Sequence, residues 1–179
     1  MPTRIPFFLL LIVAISLSAC GDSGSHSSAN NARSTKPCEL LTAEDIAQVT
    51  GHAMQPGEEK YNIFCYFSSV EKGKFDQPKF SWHLQHLHHA VPLDREVQEY
   101  QTGMRQGLGK DAGSYVSTPV AGVGERAFWE RFSGVSQLVV FKSAGDGASD
   151  FISVQSDTEN EHQALEQAKA LAQRALDRL

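Results

Sequence analysis

Residues 83–89, His83-Leu84-Gln85-His86-Leu87-His88-His89, concentrate four of the seven histidines of the chain. Read as a strand, the run places His86 and His88 on one face and His83 and His89 on the other, because successive side chains alternate. Two neutral imidazoles at that spacing could hold Zn²⁺ or Cu²⁺. A complete site needs more ligands, and the nearest carboxylates in sequence, Asp94 and Glu96, lie beyond Pro92. The plainer reading is a polar, partly exposed strand face, and no cofactor is expected. His26, His52 and His162 stand alone and read as solvated.

Other chemistry is thinner. Gly122-Val123-Gly124 lacks the third glycine of a dinucleotide loop, and an aromatic strand follows it instead of a helix. A tight turn explains it better. Phe128-Trp129 beside that turn suits either an aromatic binding ledge or, more simply, core packing. The chain holds no Gly-x-Ser-x-Gly and no His-Glu-x-x-His. Triads are set by geometry and not by sequence order, so a hydrolase stays open as a minor reading. The main expectation is a non-enzymatic module.

Three cysteines are present, Cys20, Cys38 and Cys65. Ahead of Cys20 stand one cation, Arg4, and an apolar run, Phe7 to Ile15, of signal length and too short to span a bilayer comfortably. Leu17-Ser18-Ala19-Cys20 resembles the bacterial lipobox. That resemblance implies removal of residues 1–19 and lipid attachment at Cys20, a membrane anchor that does not cross the bilayer. Gly21 follows the cysteine and Asp22 comes one place late for inner-membrane retention, so the outer membrane is favoured over the inner, with the protein facing the periplasm. With Cys20 lipidated, Cys38 and Cys65 remain as a pair in an oxidising compartment. Two buried free thiols are the alternative.

Composition agrees with one domain after export. The 179 residues are 41% hydrophobic with a formal charge of −5; losing Arg4 with residues 1–19 makes it −6. A mildly acidic protein lacks the footprint for nucleic acid. Residues 20–36 are rich in Ser, Gly and Asn and without large apolar side chains, so they read as a flexible tether holding the domain roughly 20–25 Å from its anchor.

Residues 37–179 must position everything else. Thr42 with Asp45 suggests a helix start, Leu41 and Ile46 a hydrophobic staple, and Gly51 the stop. A strand follows over 62–67, another over 79–89, and a helix whose Leu93, Val97, Tyr100, Met104 and Leu108 form one face. Strands 127–132 and 135–141 flank a Ser133-Gly134 turn. A loop over 143–149 leads to a strand at 151–155. Thr158 and Glu161 cap a final helix with Leu165, Ala168, Leu171, Ala172, Ala175, Leu176 and Leu179 along one face. The order predicts an α+β fold with an antiparallel sheet of about five strands flanked by helices.

The Pro37-Cys38-x-Leu40-Leu41-Thr42 opening, Cys65-Tyr66 in an aromatic strand and the Gly122-x-Gly124-x-x-Ala127 turn together resemble small bacterial cell-envelope lipoproteins of an uncharacterised domain family. The resemblance covers about residues 37–179. It implies binding of an envelope partner or a small apolar ligand, and no catalytic residues. A binder of this kind requires a concave apolar pocket or an exposed aromatic patch on the sheet. A closed surface would favour a structural role.

Overall fold

A computed structural model of the chain describes residues 36–156 and 160–179. The expected lipid site at Cys20, the signal and most of the tether lie outside those residues, as does Thr158. The described part begins with a single turn of helix, α1 (Pro37–Leu40), and α2 (Ala43–Thr50). Thr42 caps α2 as expected. Its Oγ1 accepts from the Asp45 backbone N–H at 3.2 Å, and Asp45 Oδ2 accepts from the Thr42 N–H at 2.8 Å. Leu41 and Ile46 are both fully buried, and the helix ends at Gly51.

Seven antiparallel strands make one sheet among the described residues, two more than expected. They are β1 (Glu58–Lys60), β2 (Phe64–Ser68), β3 (Ser81–His89), β4 (Val116–Pro119), β5 (Arg126–Phe132), β6 (Val135–Gly145) and β7 (Ala148–Ser156), in spatial order β1-β2-β3-β7-β6-β5-β4. The additional pair, β1 and β4, are the short edge strands. Neither offers a pattern to read, since Glu-Glu-Lys is fully exposed and Val-Ser-Thr-Pro nearly so. α3 (Leu93–Leu108) carries the chain from β3 to the edge at β4, after which four strands return to pair β7 with β3. The predicted loop 143–149 shrinks to Asp146-Gly147, because β6 and β7 extend toward each other. Both residues there have positive φ, as do Ser133 and Gly134 in the β5–β6 turn, which matches the twist of a two-residue hairpin.

One face of the sheet carries the larger core. Cys65, Phe67, Trp82, Leu84, Leu138, Val140, Ile152 and Val154 meet α1, α2 and the terminal helix α4 (Glu161–Leu176). The buried side of α4 combines Ala164, Ala168, Ala172 and Ala175 with Leu171, Leu176 and Gln167. Asn160, and not Thr158, caps α4, its side chain accepting from the Gln163 N–H at 3.1 Å. Glu161 instead holds β5, accepting from Trp129 Nε1 at 3.1 Å and Arg131 Nη1 at 3.0 Å. Cys38 and Cys65 form a disulfide with Cα atoms 5.1 Å apart, tying α1 to β2. Near the other end of α4, Arg174 and Arg178 converge on Asp45 and so clamp α4 to α2. The opposite face holds a smaller core of Val139, Phe141 and Phe151 beneath Leu93, Val97 and Tyr100 of α3.

Candidate functional site

The α3 face is where packing stops short. Leu93, Val97 and Tyr100 pack on the aromatic cluster, but the apolar stripe of the helix continues to Met104 and Leu108. Those two are half-buried like the others but do not pack on that cluster. With Gln85, Gly103, Gly107, Phe132, Gln137 and Phe151 they line a cavity of about 320 Å³. A second cavity of about 300 Å³ continues along the helix flank over Leu87, His89, Glu96 and Glu99. Both share Gln85, Tyr100 and Phe151, so they read as one groove between α3 and the sheet. Its size falls at the lower end of small-molecule sites.

One wall of the groove is fixed by a buried carboxylate. Glu130, on β5, is fully buried. It accepts hydrogen bonds from Tyr100 Oη at 2.7 Å, from Gln137 Nε2 at 3.1 Å and from the Tyr115 phenol, with Ser117 Oγ at 3.4 Å. Gln137 Oε1 in turn accepts from Ser153 Oγ at 2.9 Å. Burial, followed by the neighbouring Glu130 charge, raises the Tyr100 pKa far above its usual value. Burial and the hydrogen bond to Glu130 push Tyr115 up to about 12. Each phenol therefore stays a donor, and the network holds α3 and the segment behind it onto β5 and β6. Nothing in the sequence marks Glu130 for burial; its place on a strand facing α3 is settled by register with Ser117 and Gln137.

The polar handles of the groove differ from end to end. At the α3 start, Glu96 is largely buried and its Oε1 accepts from His89 Nδ1 at 2.7 Å. Gln85 presents a carboxamide at the middle, where the two cavities meet. A larger hollow of about 790 Å³ lies elsewhere, near the β5–β6 turn. It is ringed by Ser114, Ser133, Ser136 and Ser156 with the Arg131–Glu161 ion pair.

The histidine run is a strand, and it divides between faces as expected. His86 Nε2 and His88 Nδ1 both meet Asp150 Oδ1, at 3.2 and 2.9 Å. A carboxylate only accepts, so both rings turn an N–H toward it. Burial works to raise the Asp150 pKa, and the two imidazole hydrogen bonds more than offset it, leaving it below the usual value. Asp150 comes from β7, opposite His88 in register, and was invisible as a partner in sequence. The two carboxylates closest in sequence go elsewhere: Glu96 to His89 and Asp94 toward Arg126 at 3.8 Å. Among the described residues no group of three or more His, Cys, Asp or Glu is arranged to hold a metal ion.

The Gly122–Gly124 segment is a packing turn. A Cβ on Gly124 would stand 2.3 Å from Val140 Cγ1 and 2.9 Å from the Phe141 carbonyl oxygen, and its φ is +57°. Trp129 is buried in the larger core and Phe128 packs against the smaller one, so they form no ledge. No family model, curated protein or solved structure matches the chain.

Proposed function

We propose that this chain is a lipid-anchored envelope protein, held by Cys20 to a membrane facing the periplasm, whose domain binds a small, mainly apolar ligand in the groove beside α3. One observation carries the ligand reading. The apolar stripe of α3 outruns its core, and Met104 and Leu108 line a cavity where a fully packed helix would bury them. The groove is too small for a folded partner and suits a chain or ring of about the size of a lipid fragment. The Leu17–Cys20 motif supports the anchor, and the Pro37–Thr42 opening and Gly122–Ala127 turn support kinship with envelope lipoproteins.

Calorimetric titration with octan-1-ol tests the groove. Gly107 lines it, and a Cβ there would meet nothing within 4 Å. Gly107→Trp should therefore leave the melting temperature near that of the parent and weaken octanol binding at least about tenfold, the effect of roughly 1.4 kcal/mol. Equal affinity in both proteins would refute the site. The anchor has a separate test. Cys20→Ser should abolish the acylated N-terminal peptide seen by mass spectrometry of membranes, and its persistence would overturn the lipoprotein reading.

A further inference from the structure

Building on the groove reading, we infer that the ligand is an amphiphile whose head group is cationic, with the head at the Glu96 end and the apolar tail toward Met104 and Leu108. The two ends of the groove differ in chemistry. The tail end offers Met104, Leu108, Phe132 and Phe151 with the neutral amides Gln85 and Gln137. The head end offers Leu87 beside two carboxylates, Glu96 and Glu99.

Glu96 is the decisive group. Its side chain is only 8% exposed, yet it borders the cavity. His89 occupies Oε1, and among the described residues nothing donates to Oε2. Oε2 is not sealed from solvent, so water hydrates it and a donor entering the groove could take that place. A ligand ammonium in the cavity would do so. Glu99 adds a second negative charge, offset by Arg95 Nε at 2.7 Å. The start of α3 contributes about half a positive charge, which reduces the preference for a cation without reversing it against Glu96. An anionic head would face Glu96 directly, with no Lys or Arg among the described residues that line the groove.

Three probes with the same tail separate the claims: octylammonium, octan-1-ol and octanoate, titrated at pH 8 into the whole protein with Cys20→Ser. Octylammonium should bind about tenfold more tightly than octanol, and octanoate more weakly than either. Glu96→Gln should remove the preference for octylammonium over octanol. Glu99→Gln, at an exposed side chain, should reduce the preference partially and guards against a folding defect in the first variant. Octanoate binding as tightly as octylammonium would overturn the head-group inference while leaving the groove intact. Binding of none of the three would overturn both.

Discussion

Asp45 joins three parts of the domain, and removing its charge should show on heating and on acidification. Its carboxylate accepts from Arg178 Nη1 and Nη2 at 2.6 and 2.9 Å, from Arg174 Nη1 at 3.0 Å, and from the Thr42 N–H and Oγ1. The Arg178 guanidinium is the main cause holding its pKa well below the usual carboxylate range, against the opposing effect of burial. Asp45→Asn keeps the shape and loses the charge. The cap loses about 1 kcal/mol. The arginine pairs add roughly 1–3 kcal/mol, discounted because the side chains of Arg174 and Arg178 remain 35% and 38% exposed. A total of about 2–4 kcal/mol corresponds to a melting temperature lower by roughly 7–14 °C for a domain of this size. The sign with pH follows from the depressed folded-state pKa. The unfolded chain takes up the proton near pH 3.9, so the contribution is complete above that and fades as pH falls toward the folded value. Thermal melts followed by circular dichroism from pH 7 to pH 2 should give a parent-minus-variant gap that is constant above about pH 5 and closes in acid. A gap that stays constant down to pH 2 would refute the Asp45 clamp.

Replacing both Cys38 and Cys65 by Ala frees a crosslink of sequence separation 27, which should cost up to about 3.6 kcal/mol, or roughly 12 °C in melting temperature. Unchanged melting on reduction of the parent would contradict it. Glu130→Gln should cost about 2–4 kcal/mol, because an amide NH₂ then faces phenol and amide donors that now find an acceptor; denaturant unfolding would measure it. Raised folded-state values for Tyr100 and Tyr115 mean that the unfolded chain loses those protons first, so stability should fall as pH climbs from about 10 toward 12, more gently in that variant. Calorimetric titration with Zn²⁺ should give the same affinity for the parent and for His86→Ala/His88→Ala, since both rings serve Asp150; a large loss in the variant would restore a metal role.

Where a signal was local, the sequence was legible. The Thr42–Asp45 cap, the Ser133-Gly134 hairpin, the α3 stripe and the α4 alanine face all follow from residues close together in the chain. The disulfide was legible by elimination. What depended on register was not. Asp150 meets His86 and His88 because β7 pairs with β3 across more than sixty residues, and no spacing rule reports that. Glu130 appeared as one polar residue in an aromatic strand, and its partners Tyr100 and Tyr115 come from separate segments. The edge strands β1 and β4 lack alternation because so little of either is covered. Most instructive is α3, whose five-residue apolar stripe reads as a wholly buried face although all five members are only half-buried and the last two do not pack on the aromatic cluster. Periodicity identifies the stripe, but only the tertiary arrangement decides how much of it finds a partner.

Methyl resonances report that last point most directly. With ¹³C-labelled Met and Leu methyl groups, addition of octan-1-ol should shift Met104, Leu87 and Leu108 at the groove while Leu84 and Leu138, buried on the other face of the sheet, remain in place. Shifts confined to Leu84 and Leu138, or no shift at saturating octanol, would contradict the groove as the binding site.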